Sequence, residues 1–95
     1  SIFDIVDGVS VTFKNIQFVN SYKAPESYSS SFNSNVYGAS LDIKKATVVV
    51  DNCKFISNVL SYGDRDNYIY GGAISNFGNL TIINSIFQNN TALST

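Results

Sequence analysis

The stretch NLTIINSIFQNN at residues 79–90 has two counterparts upstream, and this repetition decides the fold. Each copy reads apolar-x-apolar-x-Asn-x-x-Phe-x-x-Asn/Ser, and its first asparagine is Asn15, Asn52 or Asn84. These asparagines are separated by 37 and then 32 residues. Apolar residues alternate with period two inside each copy, as in a strand rather than a helix. A period of this length with strand-like patterning predicts a solenoid.

The predicted fold is therefore all-β, a parallel β-helix formed by a single chain of about three coils. The coils are placed at residues 1–36, 37–70 and 71–95, within one domain that we expect to be a fragment of a longer protein. Three short strands are expected in each coil. Turn-forming residues without a sustained period predict surface loops at 19–36 and 57–70, and the start of another at 91–95.

Stacking of the coils would place matching side chains above one another. The pattern predicts two structural columns, a phenylalanine stack in the interior and an asparagine ladder at the bends. Their members are Phe18, Phe55 and Phe87 for the stack and Asn15, Asn52 and Asn84 for the ladder. Asparagine suits a bend because it tolerates the left-handed backbone region.

Composition excludes several classes of function. The net charge is -1 with only six basic residues, which argues against nucleic acid as a partner. The chain has no histidine and one cysteine, so we predict no metal site and no cofactor. No apolar run is long enough to span a membrane, and no pattern typical of a signal peptide is present.

Residues 71–74 (GGAI), 79–82 (NLTI) and 84–90 (NSIFQNN) resemble the GGAI and NxxF repeats of chlamydial polymorphic outer-membrane proteins. Residues 11–18 (VTFKNIQF) are similar to the repeats of adhesin-like surface proteins of methanogenic archaea. Apart from its two loops, nearly the whole chain resembles the second family. The first coil departs from the pattern, since it lacks the opening glycine and two small residues. The resemblance implies a right-handed, pectin lyase-like parallel β-helix, secreted or at the cell surface, and an adhesive or stalk role.

The two predicted loops leave the same corner and should lie side by side. Aromatic side chains in or beside these loops, Tyr37 and Tyr70 included, could stack on a glycan or contact a protein on a host or neighbouring cell. Alternatively, they could form a lid over the coils. The candidate contact residues are Tyr22, Tyr28, Phe32, Tyr62, Arg65 and Tyr68.

Other candidate sites have simpler structural interpretations. Asp4 and Asp42 align on successive coils and could hold a weakly bound cation, or they could be solvated surface charges. Lys44 and Lys45 could meet an anionic sugar, or serve solubility at a sheet edge. Cys53 is predicted to be a small buried residue rather than a reactive thiol. Asn79 and Asn89 fit the N-glycosylation acceptor pattern.

These observations favour a non-enzymatic structural or adhesive segment of a secreted or cell-surface repeat protein. The alternative is a fragment of a carbohydrate-active β-helix enzyme, of the polysaccharide lyase or hydrolase kind, whose catalytic coils lie outside this chain. A phage or viral spike segment is a third alternative. Uncapped coils would also favour end-to-end stacking.

Overall fold

A computed structural model describes residues 1–24, 36–61 and 69–93. In these ranges the chain forms short strands joined by bends. The strands are β1 (Phe3–Ile5), β2 (Ser10–Lys14), β3 (Gln17–Val19), β4 (Tyr22–Lys23), β5 (Val36–Tyr37), β6 (Leu41–Ile43), β7 (Thr47–Asp51), β8 (Lys54–Ile56), β9 (Val59–Ser61), β10 (Ile69–Tyr70), β11 (Ile74–Asn76), β12 (Asn79–Ile83), β13 (Ile86–Gln88) and β14 (Thr91–Leu93).

Every pairing among these strands is parallel and joins one coil to the next. Four sheets have three strands, in the orders β1-β6-β11, β12-β7-β2, β13-β8-β3 and β14-β9-β4, and a fifth pairs β10 with β5. The second coil thus lies between the first and the third. This arrangement is the all-β parallel β-helix that the sequence predicts, with about 4.8 Å between strands of adjacent coils.

The strand register reproduces the sequence repeat. Val48 pairs with Val11 on one side and with Leu80 on the other, and Phe55 pairs in the same way with Phe18 and Phe87. At the head of the coils, Leu41 pairs with Phe3 and with Ile74. The third member of the Asp4 and Asp42 column is Ser75.

The coils contain more strands than the three predicted for each. β4, β9 and β10 lie inside the two predicted loops, β5 begins at the last residue of the first loop, and β14 lies where a third loop was expected to start. The prediction was wrong here because these strands are only two or three residues long. Segments this short need no alternating pattern, since pairing with the strand of the adjacent coil is enough to order them.

Two bends in each coil have the same length throughout. The first contains Asn15, Asn52 or Asn84, with φ of 59°, 53° and 52°. The second contains Asn20, Ser57 or Asn89, with φ of 58°, 56° and 56°. A single residue in the left-handed region turns the chain sharply, and asparagine adopts this conformation more readily than most residues. We call these two bends the fixed corners.

A third bend changes length from coil to coil. It joins β1 to β2 through residues 6–9, β6 to β7 through residues 44–46, and β11 to β12 through residues 77–78. The bend therefore loses one residue per coil, while the strands on both sides keep their register. We call this bend the variable corner.

Gly38 and Gly71 occupy equivalent positions before β6 and β11, with φ of 47° and 73°. A Cβ atom at either position would meet the carbonyl of the residue three positions later, at 1.9 Å. The glycine that opens the second and third coils is therefore required by backbone geometry.

The interior centres on the phenylalanine stack. The rings of Phe18 and Phe55 lie 4.7 Å apart at 8° to each other, and those of Phe55 and Phe87 lie 4.7 Å apart at 5°. Aliphatic side chains of the second coil surround the stack and are fully buried, among them Leu41, Ile43, Val48 and Val50.

The corner asparagines form one link of the predicted ladder. Asn52 Nδ2 donates to Asn15 Oδ1 at 2.7 Å, but Asn15, Asn52 and Asn84 are all exposed. A second ladder follows the second fixed corner and contains Ser21, Asn58 and Asn90. Asn58 is buried and the other two are half-buried, and we call this column the buried ladder. Asn58 Nδ2 donates to the Phe18 carbonyl at 3.0 Å and Asn90 Nδ2 to the Phe55 carbonyl at 2.8 Å. The side chain after the second bend points inward, so this column rather than the first one satisfies the buried backbone.

Candidate functional site

Tyr37, Lys44, Tyr70 and Phe77 form a cluster of rings and charge on the outside of the coils, which we call the aromatic flank. Tyr37 and Tyr70 stack with ring centroids 5.1 Å apart and 10° between their planes. Phe77 meets both tyrosines edge-on, at 5.6 Å and 6.2 Å. The Lys44 ammonium lies 4.5 Å from the Tyr37 ring centroid, within range of a cation–π interaction.

Local structure explains why these residues meet. Tyr37 and Tyr70 end the paired strands β5 and β10, and each precedes one of the two equivalent glycines. The strands are held by a small apolar cluster of Val36, Ala39 and Leu60, against which Ile69 packs. Lys44 and Phe77 are the first residues of the variable corner in the second and third coils. Neighbouring strand ends therefore bring two tyrosines, a phenylalanine and a lysine together.

A buried carboxylate lies beside the flank. Asp42 Oδ2 is 3.2 Å from Lys44 Nζ, while Asp42 Oδ1 is buried without a hydrogen-bond partner. Asp42 is therefore not the solvated surface charge of the simpler interpretation, although its column neighbour Asp4 is exposed. The Lys44 ammonium offsets part of the cost of burying the Asp42 charge.

The flank borders a shallow recess of about 320 Å³. It is lined by Asp7, Tyr37, Lys44, Lys45 and Phe77, and the Lys45 backbone N–H donates to Asp7 Oδ1 at 3.2 Å. The recess thus offers ring faces, two ammonium groups and one carboxylate. These groups can stack on a sugar ring and bond its hydroxyl groups.

A second polar group lies on the other side of Tyr37. Lys23 Nζ donates to Ser1 Oγ at 2.8 Å and to the Tyr37 carbonyl at 2.9 Å. These contacts fix the backbone from which the Tyr37 ring projects.

The predicted contact residues can be placed only in part. Tyr22 lies in β4 and is 67% exposed. The other five predicted contact residues, Tyr28, Phe32, Tyr62, Arg65 and Tyr68, lie outside the described residues. The sequence reasoning did not single out Phe77, which is 55% exposed. It considered Tyr37 and Tyr70 among the loop aromatics but did not predict that they pair. The pairing had a signal, since both tyrosines precede the aligned glycines.

The remaining candidates do not belong to the flank. Asn79 begins β12 and Asn89 lies at the second fixed corner, and both are exposed, as a glycosylation acceptor must be. Cys53 is buried, as predicted, and its Sγ lies 3.4 Å from both the Phe13 and the Asp51 carbonyl oxygens. Its surroundings are apolar side chains and backbone, which suits a packing role.

The two ends of the described solenoid differ. At the first coil, the Phe3 ring lies 5.2 Å from Phe13 and 6.3 Å from Phe18, so it covers the end of the phenylalanine stack. At the third coil, Phe87 is 44% exposed and borders a depression of about 660 Å³. We call these surfaces the closed end and the open end. The open end contains the apolar side chains of Ile74, Leu80, Ile82, Phe87 and Ala92.

Among residues 1–24, 36–61 and 69–93, no three Cys, Asp or Glu side chains group closely enough to hold a metal ion. No helix in this part of the chain is long and apolar enough to span a membrane. Comparison of the chain with protein-family models, curated proteins and solved structures gave no match.

Proposed function

We propose that this chain is a non-enzymatic structural segment of a secreted or cell-surface repeat protein, and that its aromatic flank makes the adhesive contact. The observation that supports this proposal is a division between two sets of residues. The repeated positions hold the coils together, as in the phenylalanine stack and the buried ladder of Asn58 and Asn90. The chemically varied residues gather at the variable corner.

This division fits a scaffold that displays a surface. A fixed stack holds the strand ends in place, and a bend whose length changes from coil to coil can present different side chains without disturbing that stack. The buried Asp42 is paired with Lys44. Such an ion pair at the base of the flank favours a role in positioning rather than in acid or base chemistry.

We infer that the ligand is a glycan on a host or neighbouring cell. The Phe77 ring is exposed beside the Tyr37 and Tyr70 rings, so it offers an apolar face for a sugar ring. Asp7 and Lys45 line the same recess and can bond hydroxyl or carboxylate groups of the sugar. A recess of about 320 Å³ is at the lower limit of ligand pockets, and so suits one or two sugar units.

Binding to an array of cell-surface glycans tests this proposal. We expect Phe77→Ser to weaken binding by about tenfold or more, since stacking on an aromatic ring contributes on the order of 1 kcal/mol and shape is lost as well. Val19→Ser is the matched control, because Val19 is a comparably exposed apolar residue of β3 that does not line the recess. Equal loss in both variants would contradict the proposal. Protein ligands without glycan binding would overturn the glycan assignment.

The carbohydrate-active alternative has its own test. Incubation with acidic polysaccharides, followed by measurement of reducing ends and of unsaturated products, should give no turnover above the buffer control. Release of either product that is abolished by Asp42→Asn would replace the adhesive proposal with an enzymatic one.

A further inference from the structure

The open end repeats the surface that the second coil presents to the third. Val48, Val50 and Phe55 of the second coil are fully buried because the first and third coils cover them. Leu80, Ile82 and Phe87 stand directly above them in register. These three side chains therefore form an apolar surface of the kind that a coil covers elsewhere in the molecule.

The polar groups of the buried ladder also repeat from one coil to the next. Asn58 Oδ1 accepts from the Ser21 backbone N–H at 3.0 Å, and Asn90 Oδ1 accepts from the Asn58 backbone N–H at 3.0 Å. The Nδ2 atoms of both asparagines donate to a phenylalanine carbonyl of the preceding coil, as described above. Each asparagine thus satisfies one N–H and one carbonyl of the coil before it.

In the third coil, the corresponding groups are the Asn90 N–H and the Phe87 carbonyl. Neither has a hydrogen-bond partner among the described residues. The N–H groups of Asn84 and Asn89 likewise lack an acceptor there, whereas their equivalents Asn52 and Ser57 donate to Ile83 and Gln88. One asparagine side chain and one parallel backbone, placed above Asn90, would satisfy all of these groups.

The closed end does not offer that complement. Ser21 occupies the ladder position there, and its Oγ already contacts Ser40 Oγ at 3.0 Å and Asn58 Oδ1 at 2.6 Å. The Phe3 ring also blocks the face of Phe18 that would have to stack on Phe87. A second copy of this chain, stacked head to tail, is therefore a poor occupant of the open end.

The size of the surface suits a stable contact. The Cα atoms extend over 40 × 29 × 14 Å, and the short dimension fits three coils stacked about 4.8 Å apart. The end of the solenoid is thus its broadest face. A footprint on that scale can supply the roughly 800 Å² per partner that specific protein interfaces bury.

We propose that the open end is a docking site for a β-segment with this chain's own repeat pattern. The segment pairs in parallel with β12 and β13, places apolar side chains above Leu80 and Ile82, stacks a phenylalanine on Phe87, and carries an asparagine above Asn90. That asparagine selects the partner, because an apolar side chain at its position would leave the Asn90 N–H and the Phe87 carbonyl buried and unpaired.

The test uses the full chain and a synthetic peptide with the sequence of residues 71–93, which has the required pattern. We expect the peptide to slow amide hydrogen exchange at Asn84, Asn89 and Asn90 and to leave the first coil unchanged. The control peptide is identical except that leucine replaces its own Asn90. It should bind about tenfold more weakly or worse. On the chain, Ile82→Glu should abolish the protection, and Val19→Glu, on a side face, should preserve it.

A short peptide loses much conformational entropy on docking and can therefore bind weakly. A second measurement detects the contact even in that case. The same two sequences are appended after Thr95, which raises their effective concentration to the millimolar range. The asparagine-bearing extension should raise the unfolding midpoint above that of the leucine-bearing extension. Equal midpoints together with no peptide protection would overturn the proposal. Protection of Asn84, Asn89 and Asn90 by self-association of the chain alone would overturn the choice of occupant.

Discussion

The closed and open ends present the same repeat positions with opposite burial. Phe18 is 2% exposed although it belongs to a terminal layer of the described solenoid, and its counterpart Phe87 is 44% exposed. Three replacements in the first coil account for the difference. Phe3 stands where the other coils have Leu41 and Ile74, Phe13 where they have Val50 and Ile82, and Ser21 where they have Asn58 and Asn90. In this chain, larger rings and a shorter polar side chain close the terminal layer.

The largest expected difference concerns the phenylalanine stack. Phe55→Ala should lower the free energy of unfolding by about 3–5 kcal/mol, because the ring is fully buried between Phe18 and Phe87. Phe87→Ala should cost about 1–2 kcal/mol, since much of that ring is already in water. Urea denaturation of both variants measures the difference. Equal costs would show that the open end is covered in solution.

The second-largest expected difference concerns the buried ladder. Asn58→Leu should cost about 2–4 kcal/mol, because the Ser21 N–H and the Phe18 carbonyl would lose their partner inside the protein. Asn52→Ala, at an exposed fixed corner, should cost about 1 kcal/mol for the left-handed backbone. Thermal unfolding of the two variants gives the order. A larger effect at Asn52 would mean that the exposed corner, and not the buried ladder, holds the coils in register.

The closed end can be opened by one substitution. Phe3→Ser removes the ring that covers Phe13 and Phe18, and should cost about 1–2 kcal/mol. It should also raise the binding of a dye specific for exposed apolar surface. Phe77→Ser, which changes an exposed ring on the aromatic flank, is the control and should not raise it. Unchanged dye binding in Phe3→Ser would contradict the role of Phe3 as a cover.

The smallest expected effect concerns a single bond between the second and third coils. Ser85 Oγ accepts from the Cys53 backbone N–H at 3.1 Å and donates to the Ile83 carbonyl at 2.9 Å. Ser85→Ala should therefore cost about 1 kcal/mol. Ser10→Ala, in exposed strand β2, should change stability by no more than about 0.5 kcal/mol. A Ser85→Ala variant as stable as Ser10→Ala would mean that water replaces the hydroxyl.

The repeat pattern alone predicted the all-β parallel fold. Stacked coils place equivalent positions next to each other. The repeat interval in the sequence therefore predicted that Phe18, Phe55 and Phe87 lie in adjacent coils. The bends could be predicted as well, because asparagine has a physical reason to occupy the left-handed region. These features depend on local chemistry repeated at a fixed interval.

The sequence pattern alone could not show which asparagine column points into the protein. Asparagine recurs in two columns, and only the direction of the chain after each bend decides which column points inward. The Ser21, Asn58 and Asn90 column was visible in the repeat, but its burial was not. The aromatic flank was harder still. Phe77 and Lys44 belong to the variable corner, whose changing length removes any periodic signal.

At the variable corner, the length of the bend changes from coil to coil while the strands on both sides stay in register. Four, three or two residues join the same two sheets at 6–9, 44–46 and 77–78, with no shift of the strands beside them. A foreign epitope or a binding peptide could therefore be grafted at residues 6–9, which are all exposed, with the neighbouring layers intact. The molecule would then serve as a display framework for engineering, with sequence diversity confined to one side.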